Sequence, residues 1–85
     1  MSWKQNWQAV LDIEMKRWSG LSCEQLVAQL SEAQSYEIVV GPDKYQVEVE
    51  LLENTEEYLH VLVAVDDGVL PRSIAPLTNS FILQK

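Results

Sequence analysis

The segment "KYQVEVELLENTEEYLHVLVAV", from Lys44 to Val65, contains two runs in which apolar and polar residues alternate. A period of two is typical of β-strands that bury one face and expose the other. The apolar positions are Tyr45, Val47, Val49 and Leu51 in the first run, and Leu59, Val61, Val63 and Val65 in the second. Because the link "NTEE" is short and polar, we expect the two strands to form an antiparallel hairpin.

The same alternation predicts a register for this hairpin. If Glu53 lies opposite Glu57 across the loop, then Val49 pairs with Val61 and Glu50 pairs with His60. This alignment keeps the valines on one face, whereas a slip by one residue would move half of them out of the core.

Shorter signals on either side of the hairpin predict two further strands. "YEIVV", starting at Tyr36, is a candidate strand, and "GPDK" after it is a turn signal with Pro42 and Asp43 at its centre. "SFILQK", at the end of the chain, is a candidate fourth strand.

Before residue 36 the apolar spacing is helical. Steps of three and four predict a first helix over Trp3–Trp18, with Ser2 as its N-cap. Gly20 is a natural stop, since glycine adopts a left-handed conformation at little cost. The apolar stripe of this helix consists of Trp3, Trp7, Val10, Leu11, Met15 and Trp18.

The start of a second helix is the best-specified boundary in the chain. Ser22 followed by Gln25 is a capping-box pattern. We expect this helix to run over Cys23–Gln34. The elements together predict a single α+β domain over residues 1–85, in which two N-terminal helices pack on one face of a three- to four-stranded, largely antiparallel sheet.

Charge limits the partners. The 85 residues include 13 acidic and 6 basic side chains, for a net charge of −7. Residues 24–67 contain eleven acidic residues against Lys44 alone. Such a chain repels nucleic-acid phosphate and anionic lipid, so we expect no nucleic-acid or membrane partner, and a charged protein partner should be basic.

The sequence shows no signal-peptide pattern and no apolar run long enough to cross a membrane. Its one cysteine, Cys23, cannot form an internal disulfide. These features predict a cytoplasmic protein. Because neither metal-ligand spacing nor a phosphate-binding glycine pattern is present, we expect no metal and no cofactor.

The polar face of the central hairpin is the candidate binding surface, because acidic and apolar side chains are mixed there. The loop over residues 66–79 lies beside it and is long for a compact domain. Two prolines and several apolar residues in this loop favour an ordered connection, with Arg72 paired to Asp66 or Asp67. The candidate binding residues are Glu48, Glu50, Tyr58, His60, Leu62, Asp66 and Arg72.

Two classes of function follow from these features. The favoured one is a non-enzymatic module that binds another protein, such as an immunity-type inhibitor of a basic toxin or a small acidic secretion chaperone. The alternative is a small-molecule-binding or enzymatic domain, with a pocket between loop and sheet that holds His60, Asp66 and Arg72. Catalysis by His60 is disfavoured because no serine or cysteine nucleophile can be placed beside it. The oligomeric state stays open.

Overall fold

The computed structural model describes the backbone of residues 3–66 and 76–85, and the side chains from residue 6 onward within these ranges. Two helices precede four strands, which pair in the order β1-β2-β3-β4 as an antiparallel sheet. The helices pack on one face of this sheet, so the predicted α+β class is confirmed. The elements are α1 (Trp3–Ser19), α2 (Cys23–Gln29), β1 (Gln34–Val40), β2 (Asp43–Asn54), β3 (Tyr58–Asp66) and β4 (Leu77–Gln84).

Helix α1 buries the predicted stripe from Trp7 onward, the part whose side chains are described. Trp7, Val10, Leu11 and Trp18 are buried in the core, and Met15 packs against it. Gly20, by contrast, does not take the left-handed conformation that we expected. Its N–H donates to the carbonyl of Lys16, 3.2 Å away, and Gly41 is the glycine with positive φ in the described ranges.

Helix α2 begins as predicted and ends early. The Ser22 hydroxyl accepts a hydrogen bond from the Gln25 N–H, and the Gln25 side chain accepts one from the Ser22 N–H. The helix stops at Gln29, not at Gln34. Gln34 instead pairs with Val49 in the sheet. A residue that the helical pattern assigned to α2 therefore belongs to β1.

A two-residue turn joins β1 to β2. Val40 pairs with Asp43, so Gly41 and Pro42 occupy the centre of the turn, and the predicted centre at Pro42 and Asp43 is wrong. Gly41 has φ of 60°. Positive φ at the first central position followed by proline fits a type II′ turn, whose twist matches that of the flanking strands.

The predicted register of the central hairpin is wrong by two residues. Val49 pairs with Val63, not with Val61, and Glu50 pairs with Leu62. A shift by two residues returns every side chain to the same face, so alternation alone cannot distinguish the two registers. The burial of Val47, Val49, Leu59, Val61, Val63 and Val65 confirms the predicted faces.

A β-bulge and a threonine-centred loop account for this register. The pairing shifts between Leu51 and Glu53, which leaves Leu52 as the extra residue. In the loop, the Thr55 N–H donates to the carbonyl of Tyr58 at 2.9 Å. The Thr55 hydroxyl accepts from the N–H groups of Glu57 and Tyr58. These bonds close the loop without the glycine that a tight hairpin usually needs.

Strand β4 is longer than the predicted "SFILQK" segment. It starts at Leu77 and pairs with β3 along its length, while β3 continues to Asp66. Asp66 and residues 77–79, which we assigned to the long loop, are therefore strand residues. Residues 67–75, with Arg72 and the predicted ion pair, lie outside the described residues. Within the described ranges, no helix is long and apolar enough to cross a membrane.

Candidate functional site

The helices cover one face of the sheet and leave the other, which we call the outer face, uncovered by described residues. Antiparallel pairing aligns side chains of neighbouring strands into rows across this face. Among the residues that the structure describes, its carboxylates include Glu37, Glu48, Glu50, Glu53 and Asp66, and Lys44 is a lysine on the same face. Its other members include Gln46, Tyr58, His60, Leu62, Ala64, Thr78, Ser80 and Ile82.

The described candidate binding residues all lie on this face. Glu48 pairs with Ala64 and Glu50 with Leu62, in adjacent rows. Tyr58, His60 and Asp66 belong to the same face of β3, although Asp66 lies at its far end. Arg72 is outside the described residues, so the structure does not place it.

A shallow depression of about 230 Å³ lies in the rows of Glu48 and Glu50. It forms because β1 begins at Gln34, opposite Val49, so the row of Glu50 and Leu62 has no β1 neighbour. Small side chains leave the floor open, and two carboxylates stand at its margin. The depression is lined by Ala33, Gln34, Ser35, Glu48, Val49, Glu50, Leu62 and Ala64.

Glu53, a residue that we did not single out from the sequence, links two of the predicted ones. The Tyr58 hydroxyl donates to Oε2 of Glu53 at 2.9 Å, and Nδ1 of His60 lies 3.3 Å from Oε1. The hydrogen bond from Tyr58, followed by that from His60, lowers the pKa of the Glu53 carboxyl. The same carboxylate raises the pKa of the Tyr58 phenol. The β-bulge at Leu52 creates this cluster, because it sets Glu53 opposite His60.

The geometry corrects the pairing expected for His60. Its partner is Glu53, not Glu50, and this contact is a cross-strand polar pair at a partly exposed position. A surface pair of this kind stabilises a sheet without requiring any chemistry.

The alternative pocket is disfavoured by the length of β3. His60 and Asp66 are six residues apart on one strand. At about 3.3 Å per residue their Cα atoms are separated by roughly 20 Å. One small-molecule pocket therefore cannot use both side chains as neighbouring groups. In the described ranges, no group of three or more His, Cys, Asp or Glu side chains is placed to hold a metal ion.

A second polar cluster, absent from the sequence analysis, lies between α1 and β1. Glu14 is only 3% exposed, and it accepts a short hydrogen bond from the Tyr36 hydroxyl. The Trp18 indole N–H donates to the same hydroxyl at 2.8 Å. Burial, and then the bond to Glu14, raises the pKa of Tyr36 to about 12. Arg17 completes the cluster, with Nη1 3.7 Å from the Glu14 carboxylate and its guanidinium over the Tyr36 ring.

Helical spacing could have identified Glu14. It lies four residues after Val10 and four before Trp18, so it falls within the apolar stripe of α1. An acid at such a position needs a buried partner. Spacing cannot name that partner, because Tyr36 reaches it only through the packing of β1 against the helix. All members of the cluster have described partners, which indicates a structural role.

Comparison of the chain with protein-family models, with curated protein sequences and with solved structures finds no match. The case for a function therefore rests on the geometry and charge of the outer face.

Proposed function

We propose that this protein is a non-enzymatic binding module, and that its outer face binds a basic surface of another protein. The observation that carries the proposal is the coincidence of carboxylates and accessible apolar area on one uncovered sheet face. Glu48 and Glu50 flank a depression with Leu62 in its floor, and Glu53 lies in the next row. Lysine or arginine side chains suit such a surface, because their methylene groups pack on apolar atoms while the charged ends reach carboxylates.

The distribution of charge supports a protein partner over a small molecule. The carboxylates extend over several rows, from Glu37 and Asp66 in one row to Glu53 several rows away. A charged field of this extent accelerates association with a complementary surface and excludes partners of like charge. An immunity-type inhibitor of a basic toxin and a small acidic secretion chaperone, both cytoplasmic, are the two versions that we favour, on the basis of charge and size.

The test compares two doubly neutralised variants with the same change in charge. Glu48→Gln/Glu50→Gln alters the outer face, whereas Glu32→Gln/Glu56→Gln alters exposed positions after α2 and at the hairpin tip. Proteins that the wild type captures from the source cell extract are purified, whether or not the two variants also capture them. Their dissociation constants are measured by titration calorimetry at two ionic strengths.

We expect the purified partner to bind the face variant at least about tenfold more weakly than the control. Wild-type binding should also weaken at high ionic strength, because salt screens exposed charges over distances of about 10 Å. A partner that binds all three proteins equally, or whose affinity does not depend on salt, would contradict the proposal.

A further inference from the structure

Strand β1 forms one edge of the sheet, and no described strand pairs with its far side. Its seven residues contain neither proline nor lysine, and its pairing with β2 runs without a bulge. Proline, lysine and bulges are the usual devices that prevent an edge strand from accepting another strand. In this respect β1 is an open edge.

The turn at Gly41 determines which backbone groups of β1 are available. Val40 and Asp43 close a two-residue turn, so Val40 directs its N–H and C=O towards β2. Because directions alternate along an antiparallel strand, the outward groups belong to Ser35, Glu37 and Val39. The side chains of these three residues lie on the outer face, so backbone groups and acidic surface meet at the same edge.

The opposite edge, β4, is partly closed. The Ser80 N–H donates to the side-chain oxygen of Asn79 at 2.8 Å. The carbonyl of Gln84 is in contact with the Cys23 thiol of α2, 3.8 Å away. An added strand at β4 would have to displace both contacts. At β1, no described residue makes a comparable contact with the outward backbone groups.

Side-chain chemistry at the β1 edge favours a basic, amphipathic segment. Glu37 and Glu48 provide negative charge on the outer face, and Val39 is 63% exposed there. On the inner face, Ile38 is only partly buried, so an apolar neighbour would complete its cover. A second copy of this chain fits poorly, because a two-fold pairing centred on β1 sets Glu37 opposite itself or brings two acidic faces together.

We propose that β1 accepts an extended segment of the partner protein as a fifth, antiparallel strand. The segment carries lysine or arginine at alternate positions, which face Glu37 and the acidic rows beyond it. Apolar residues between them pack beside Ile38. The proposal rests on the proposed function, since it specifies how a basic partner engages the outer face; main-chain hydrogen bonds supply affinity and alternate side chains supply specificity.

The probe is a synthetic peptide of alternating lysine and valine, about as long as β1 and capped at both ends. Two further peptides carry N-methyl groups, one on every lysine and the other on every valine. All three have the same charge, but each methylated form lacks the N–H groups of one edge. In an antiparallel pair the lysines share the outer face with Glu37 and direct their N–H groups towards β1, so methylated lysines should abolish binding and methylated valines should not.

Nuclear magnetic resonance locates the added strand on the protein. On binding, the amide hydrogens of Ser35, Glu37 and Val39 should become protected from exchange with solvent, because they acquire carbonyl partners. The amide hydrogens of Tyr36 and Ile38, which already point towards β2, should change little.

A matched pair of lysine substitutions tests the edge itself. Val39→Lys and Val27→Lys each replace an exposed valine, 63% and 38% accessible; Val27 lies on α2 near Gln84 of β4, away from the outer face. Both change the net charge equally. We expect Val39→Lys to weaken binding of the unmethylated peptide about tenfold, and Val27→Lys to leave it within about twofold.

The outcomes separate this inference from the proposed function. Equal binding of both methylated peptides, or equal effects of the two lysine substitutions, overturns strand addition at β1. If the affinity for the unmethylated peptide still decreases at high ionic strength and in the Glu48→Gln/Glu50→Gln variant, the acidic-face proposal survives. Failure of the unmethylated peptide to bind also overturns strand addition. Sedimentation is the remaining control: a dimer that Val39→Lys dissociates would show that the β1 edge binds a second copy instead.

Discussion

At the scale of single residues, the most constrained group is the Tyr36 hydroxyl. It donates to Glu14 and accepts from the Trp18 indole, so it satisfies a buried acid and an indole N–H at once. A buried carboxylate without a hydrogen-bond donor would carry a large desolvation cost. This cluster therefore ties α1 to the edge strand β1, which is also the strand proposed to accept a partner.

The substitution Tyr36→Phe tests this contribution to stability. It removes one oxygen, but it leaves Glu14 without its hydroxyl donor and Trp18 without its acceptor. We expect the free energy of unfolding, measured by urea denaturation, to fall by about 1–3 kcal/mol. Tyr58→Phe makes the same chemical change on the exposed outer face and should have a smaller effect. Equal losses in the two variants would contradict the role assigned to the cluster.

Alkaline pH offers a second test of the same residue. The pKa of Tyr36 is raised from 10.0 to about 12, first by burial and then by the bond to Glu14, so the fold favours the protonated phenol. The stability that this provides is fully present below pH 10 and is lost as pH rises towards about 12. Over that window the wild type should lose more stability than Tyr36→Phe. Parallel stability–pH curves for the two proteins would show that Tyr36 is not responsible.

At the scale of elements, the bulge in β2 decides what the central hairpin displays. Leu51 pairs with Val61 and Glu53 with His60, so the extra residue Leu52 has no partner in β3. Two residues of β2 thereby oppose a single residue of β3, which is the definition of a β-bulge. The alternation of apolar and polar residues breaks at the same point, where two apolar residues, Leu51 and Leu52, stand side by side.

Deletion of Leu52 should therefore be tolerated. It converts the bulge into a regular ladder, in which Leu51 still pairs with Val61 and Glu53 still pairs with His60. We expect the free energy of unfolding to change by less than about 1 kcal/mol, and the cross-strand nuclear Overhauser effects of both pairs to persist.

The matched control is deletion of Glu48, which also removes one residue of β2. It should unfold or rearrange the hairpin, because either Tyr45 and Val47 change faces relative to β3, or the ladder loses its bulge and moves Glu50 to the buried face and Val49 out of it. A large loss of stability on deletion of Leu52, similar to that in the control, would contradict the assignment of the bulge.

At the scale of the whole molecule, the acidic outer face is a source of repulsion within the fold. Glu48 and Glu50 point the same way along β2, about 7 Å apart, and other carboxylates occupy neighbouring rows. Surfaces selected for stability alone usually mix charges of both signs. Concentration of one sign on one face fits a surface whose complement is supplied by a partner.

Salt should therefore stabilise the free protein. Screening of like charges should raise the midpoint of urea unfolding as ionic strength increases, and Glu48→Gln/Glu50→Gln should show a weaker salt dependence. At low salt this variant should be no less stable than the wild type, with a gain of less than about 0.5 kcal/mol. A decrease in wild-type stability with salt would show that attractive charge pairs dominate, contrary to this prediction.

Local patterns determined much of the fold. The alternation in β2 and β3 specified which side chains are buried, because each strand has only two faces. Ser22 and Gln25 specified the start of α2, because a capping box involves residues three positions apart. The residues of the candidate face followed from the same alternation, since Glu48, Glu50 and His60 had to lie on the face of the sheet that the valines do not occupy.

Tertiary structure decided the features that local patterns leave undetermined, namely the strand register and the partner of each side chain. A shift by two residues preserves both faces, so the register was settled by the Thr55 loop and the bulge, which give His60 the partner Glu53 in place of Glu50. Gln34 joined β1 instead of α2, although glutamine is a good helix former, because pairing between distant segments can override local propensity. The sequence alone determined which side chains share a face as far as Leu51, because that depends on local periodicity, whereas the bulge moved Glu53 from the face of the valines to the outer face. The partner of each side chain depends on contacts between distant segments, which only the packed structure provides.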